Sequence, residues 1–239
     1  MRPTLTILFP IIGLLGAGCA PKPVPEPPPP VAAEPSPPAA PRMEASLLSR
    51  PGPAQVSLNG QTLGQTPRVV QVSSLDEAFR ITAAQDQERP AETRIRVVSS
   101  TAVEVTFLFR GTASPMAKAL GLPRILVFDY GSALTFAVDK YVLAPAFTAM
   151  LDRQAELLAS HFAGIQVYVC GHTDATGNAT HNAILALRRA EVVTDYLVAK
   201  GVHRDLVKTQ GFGSTYPVAG NDTPAGRALN RRTEIILPQ

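Results

Sequence analysis

Tryptophan is absent from the 239 residues, and aromatic side chains make up only 6% of them. That leaves no stacking platform for a nucleic-acid strand and no aromatic girdle of the kind that marks a membrane barrel. Charge is sparse as well: 22 Lys and Arg against 19 Asp and Glu give +3, spread along the chain and too mild to imply a nucleic-acid partner. Long apolar runs are missing. The stretch from Leu5 to Leu15 is broken by Pro10 and Gly13 and falls short of the roughly 20 residues a membrane-spanning helix needs. With four His and no HExxH-like spacing, the pair His172 and Asp174 does not read as a metal site. Gly211-Phe212-Gly213 lacks the strand-loop-helix setting of a dinucleotide site, and no Ser or Cys sits in a recognisable nucleophile arrangement. A binder without cofactor or metal, rather than an enzyme, is expected.

What the chain has instead is proline, 23 of them, concentrated near the start. Residues 1–18 show Arg2, an apolar centre and a small-residue exit, the anatomy of a secretory signal peptide. Leu15-Gly16-Ala17-Gly18-Cys19 resembles a bacterial lipobox, with Gly16 where a leucine is usual. The resemblance implies acylation of Cys19 (palmitate-type) and an outer-membrane anchor facing the periplasm, Ala20 standing where an Asp would resemble an inner-membrane retention signal. A simple cleaved signal is the alternative. Cys170 would then be the one remaining thiol, so no intramolecular disulfide is expected. Residues 19–53 read as a disordered Pro-rich linker, extended at about 3.1 Å per residue and reaching on the order of 100 Å.

Residues 54–120 read as a small β-rich domain. Gln55 to Pro67 alternates, carries Asn59-Gly60 and stops at Thr66-Pro67, which predicts a hairpin and looks like a PEGA-type surface module. Thr93 to Val98 and Ala102 to Phe109 are two further strand candidates, and Ile125 to Phe128 another, with a domain boundary expected near 110–125.

Beyond it, strand and helix patterns alternate. A strand near 133–138 precedes a helical stripe of Leu143, Phe147, Leu151, Leu158 and Phe162, with Pro145 in the first turn and Gly164 at the end. Ile165 to Cys170 predicts a strand, Ala179 to Lys200 a helix closed by Gly201, and Val207 to Gln210 and Thr233 to Leu237 two more strands. Between strand and helix lies the polar loop Gly171 to Asn178. Asn182, Ala186 and Arg189 share a stripe of the helix that leans back toward Asp174. An acid and a guanidinium facing each other there could hold a zwitterion such as an amino-acid head group. The same spacing suits a helix cap at Asp174 and an ordinary ion pair at Arg189.

Gly171-His172-Thr173-Asp174, Gly177, Asn182, Leu185, Arg189-Ala190, Val193, Tyr196-Leu197, Gly211-Phe212-Gly213, Asn221-Asp222-Thr223 and Asn230-Arg231-Arg232-Thr233-Glu234-Ile235 resemble the core of the OmpA-like C-terminal domain. The resemblance covers about the C-terminal half and implies an α/β (α+β) fold, a βαβαβ sandwich with helices on a mixed sheet, over residues 125–239. It further implies non-covalent binding of peptidoglycan through the diaminopimelate of its stem peptide, with Asp174 and Arg189 holding the amino and carboxylate groups. Thr173, Thr176, Asn182 and Arg232 complete the implied ligand set. Two positions depart from the family pattern: Ala137 where many members carry an acid, and Ala186 where a serine is common. Two functions follow: an outer-membrane lipoprotein tethering the envelope layers, or a wall-anchored component of an envelope-spanning machine (secretion, conjugation, pilus or motility) whose residues 54–130 engage a protein partner.

Overall fold

In the computed structural model, which describes residues 42–99, 101–110, 115–130, 141, 143 and 145–239, the first strand is Met43–Arg50 (β1). It lies inside the stretch expected to be linker. The local sequence explains the difference: MEASLLSR contains no proline, and its alternation buries Ala45 and Leu47. Asn59 and Gly60 take φ of 51° and 82°, the left-handed geometry a two-residue hairpin turn requires, and join Gln55–Leu58 (β2) to Gln61–Gln65 (β3). Arg68–Val72 (β4), the short helix Leu75–Phe79 (α1) and Ile81–Ala84 (β5) follow, β5 completing a three-stranded sheet β3-β2-β5. Glu92–Ser99 (β6) and Ala102–Leu108 (β7), both expected as strands, pair with each other antiparallel.

The remaining elements are Pro115–Leu120 (α2), Ile125–Asp129 (β8), Pro145–His161 (α3), Val167–Gly171 (β9), Ala179–Ala199 (α4), Val207–Gly211 (β10), Pro224–Asn230 (α5) and Thr233–Pro238 (β11). The expected strand near 133–138, with Ala137, lies outside the described residues, as do Cys19 and the segment 1–41. Asn178 caps α4 by accepting from the N–H groups of Thr180 and His181, and Gly201, with φ of 100°, follows its end.

One eight-stranded mixed sheet, β10-β9-β11-β8-β6-β7-β1-β4, runs straight through the boundary expected near 110–125. β6 pairs in parallel with β8 from Glu92↔Ile125 to Arg96↔Asp129, so strands of the middle region and of the C-terminal half share one ladder. One face packs Ile95, Val105, Val169, Ile235 and Leu237 against Leu151 and Leu158 of α3 and Ala190, Val193 and Leu197 of α4. Each buried Val, Leu or Ile among them contributes roughly 1.5–3 kcal/mol by leaving water. The opposite face carries Ile125, Val127, Cys170 and Ile236 beneath Met116 and Ala117 of α2. Gly171 sets the approach of α4 to the sheet: a Cβ there would lie 1.9 Å from the Ala186 carbonyl oxygen. That close approach brings α4 over the end of β9, where the polar loop begins.

Candidate ligand-binding site

The loop after β9 is held in shape by hydrogen bonds from other parts of the chain. The Asn182 side chain, from the first turn of α4, donates to the carbonyls of Asp174 (3.3 Å) and Thr176 (2.9 Å). Thr173 is tied at its N–H to Gly213 O (2.9 Å), and Ala175 N–H donates to the side chain of Asn221 (3.1 Å). These bonds come from three separate segments, so the loop's conformation is a tertiary product.

Asp174 is 7% exposed. Its Oδ1 accepts from the backbone N–H of Thr176 at 2.9 Å and from that residue's hydroxyl, while Oδ2 receives Arg231 Nη1 at 2.7 Å. Burial alone would raise its pKa, but the Thr176 hydroxyl, the Arg231 guanidinium and the Thr176 N–H outweigh it and hold the carboxyl below the usual range. Asp174 is therefore an anion at neutral pH. Arg189 is buried to 1% exposure and directs Nη1 to the carbonyl of His172 at 3.4 Å.

Asp174 and Arg189 line the same open cavity of about 350 Å³, together with Thr173, Thr176, Asn182 and Arg231. Arg227 and His181 complete much of its rim. The cavity thus sets three guanidinium groups against one carboxylate. Such a wall favours a ligand that brings carboxylate charge, and Asp174 leaves one acceptor wall for an ammonium group.

One expected residue falls elsewhere. Arg232 is buried at 2% exposure, with Nε on Glu234 Oε1 at 2.8 Å and Nη2 on the Tyr216 carbonyl at 3.0 Å, and it does not line the cavity. Arg232 points with Glu234 to the face beneath α2, where Ile236 also lies, and the residue that turns to the loop after β9 is Arg231, which ends α5. Arg231 and Arg227, which stand outside the expected ligand set, line the cavity in its place. The inward Glu234 two places on from Arg232 was the available signal.

His172, beside the loop, stacks on Phe212 with ring centroids 5.8 Å apart and places Nε2 3.5 Å from Glu234 Oε2. Burial pushes its pKa down, against the pull of Glu234, so the imidazole is neutral. Among the described residues no cluster of three His, Cys, Asp or Glu could hold a metal ion. Cys170 is buried in the sheet, and burial drives its thiol pKa upward, which makes it inert.

Residues 135–231 match the model of the OmpA family. The C-terminal half carries an OmpA-like domain. The peptidoglycan-binding protein ArfA of Mycobacterium tuberculosis is 43% identical over 107 residues, which cover 45% of this chain and 32% of that protein. The peptidoglycan-associated lipoprotein of Legionella pneumophila is 36% identical over 101 residues, covering 42% of this chain and 57% of that one. The crystal structure of the peptidoglycan-associated lipoprotein from Burkholderia pseudomallei aligns with 30% identity and a TM-score of 0.41, over 44% of this chain and 87% of that chain. The chain spans about a third of the length of ArfA. No helix among the described residues is long and apolar enough to cross a membrane.

Proposed function

We propose that this protein binds peptidoglycan non-covalently, through the diaminopimelate of the stem peptide, at the cavity between the loop after β9 and α4. The observation that carries the reading is that Asp174 and Arg189, charges of opposite sign on two different elements, line one open cavity. A ligand ammonium sits on Asp174 and a ligand carboxylate on the Arg189 fork, while Thr173, Thr176 and Asn182 present polar groups along the wall. One relative named for peptidoglycan binding and another named for association with peptidoglycan support the class of ligand. Acylated at Cys19 and held at the periplasmic face of the outer membrane, the chain tethers that membrane to the wall across the proline-rich stretch.

The test is co-sedimentation of the purified chain with peptidoglycan, competed by free meso-diaminopimelate. Asp174→Ala and Arg189→Ala are expected each to abolish binding while the chain remains folded, because each leaves a charged ligand group unmatched. Full binding by both variants rules the site out. Radiolabelled palmitate incorporated by the chain and absent from Cys19→Ser checks the anchor.

A further inference from the structure

Beneath the candidate site lies a buried ionic cluster that spans the two halves of the chain. Arg94 of β6 donates to Glu92 Oε1 (2.8 Å), Asp129 Oδ2 of β8 (3.2 Å) and Glu234 Oε1 of β11 (2.5 Å). The three carboxylate side chains are at most 1% exposed. Glu234 Oε1 also accepts Arg232 Nε at 2.8 Å, so one oxygen joins the middle region's arginine to an arginine of the C-terminal segment.

From Glu234 the contacts run to the cavity in two short steps. Arg232 O accepts the His172 N–H at 2.9 Å, and the His172 carbonyl in turn receives Arg189. The neighbour of Arg232, Arg231, reaches Asp174 at 2.7 Å. The segment 231–234 is therefore held by Arg94 through Glu234 and in turn holds Asp174 through Arg231. Remove Arg94, and Glu92, Asp129 and Glu234 lose the guanidinium that they share. Buried carboxylates gathered on one guanidinium repel one another once it is gone, and their separation moves the segment that carries Arg231.

We propose that Arg94, a residue outside the OmpA-like region, is a positioning residue for the ligand cavity, acting through Glu234 and Arg232 on the Arg231–Asp174 pair. On this view residues 42–110 are part of the binding site's frame. The proposal rests on the ligand reading above only for its binding measurement.

The experiment uses the full chain with Arg94→Met, Arg94→Lys and, as a control for loss of stability alone, Leu47→Ala in the buried part of β1. Two quantities are read at a temperature where every variant is folded: affinity for meso-diaminopimelate by calorimetry, and titration of the Asp174 carboxyl by ¹³C NMR. Arg94→Met is expected to bind about tenfold more weakly, as loss of a supporting contact commonly does. Its Asp174 is expected to titrate closer to the ordinary carboxylate range, with Arg94→Lys intermediate and Leu47→Ala like the wild type. Wild-type values for Arg94→Met in both measurements, or an equal change in Leu47→Ala, overturn the proposal. If Arg94→Met does not fold, Arg94→Lys decides by the same criteria. If the wild type does not bind diaminopimelate, the ligand reading fails by itself, and the Asp174 titration still decides the role of Arg94.

Discussion

The carboxylate of Asp174 receives Arg231 Nη1 at 2.7 Å, across 57 residues of chain. The pairing joins the loop after β9 to the segment between α5 and β11, so the cavity's acidic wall is charged, fixed and already neutralised on one oxygen. A ligand ammonium that docks there shares Asp174 with Arg231. This sharing sets the order of effects expected from substitution.

Arg231→Gln is expected to weaken diaminopimelate binding without abolishing it, because Asp174 keeps its two bonds from Thr176. Asp174→Asn is expected to abolish binding, since the neutral amide leaves the cavity's three arginines unopposed. Calorimetric titration of both variants measures the order, and equal loss in the two would contradict it.

Acid is expected to destabilise the fold in two stages. The folded-state pKa of His172 lies below its ordinary 6.5, chiefly through burial, so below that pH the unfolded chain takes up a proton that the folded chain resists. The stability contributed by the neutral imidazole is present above pH 6.5 and is lost as pH falls beneath it. Glu234 behaves in the same direction lower down. Burial opposes its ionisation, but Arg232 and Arg94 hold its pKa well below 4.5, so its contribution is present above 4.5 and lost as pH drops through the folded value. Urea unfolding from about pH 7 to about pH 5 should show a smaller decline in His172→Gln than in the wild type, because that variant has no imidazole to protonate. The second decline, below 4.5, should remain in that variant.

Gly171→Ala should be among the most damaging small substitutions in the chain. Its Cβ would meet backbone, the Ala186 carbonyl oxygen at 1.9 Å, and α4 would have to move away from β9. A loss of about 3 kcal/mol or more is expected, at the upper end of overpacking effects, with ligand affinity falling as Arg189 moves with the helix. Gly60→Ala is the comparison: nothing lies within 4 Å of its Cβ, and only the positive φ of 82° is strained. A loss nearer 1 kcal/mol is expected there. Thermal unfolding of the two variants separates crowding from backbone conformation.

Asn178→Ala removes the side chain that accepts from Thr180 and His181 at the start of α4. About 1 kcal/mol of stability should be lost. Because the capped turn also carries Asn182, which holds the Asp174 loop, hydrogen exchange in residues 174–182 should accelerate more than in α3.

Much of this architecture follows from short stretches read alone. Asn59-Gly60 specifies its hairpin because two left-handed residues are needed between the strands, and Gly201 closes α4 because a positive φ is needed there. The alternation in Ala102–Leu108 and the stripe of Leu185, Val193 and Leu197 mark the faces that become buried. The placement of Asp174 and Arg189 on one cavity was legible because loop and helix adjoin in sequence. Long-range relations were not. The pairing of β6 with β8, the strand hidden at 43–50, the choice of Arg231 over Arg232 and the gathering of Arg94, Glu92, Asp129 and Glu234 depend on which strands become neighbours and in what register. Periodicity tells a residue which side of its own strand it occupies. Only the assembled sheet decides what lies across from it, because that choice is made by packing and charge compensation between segments remote in sequence.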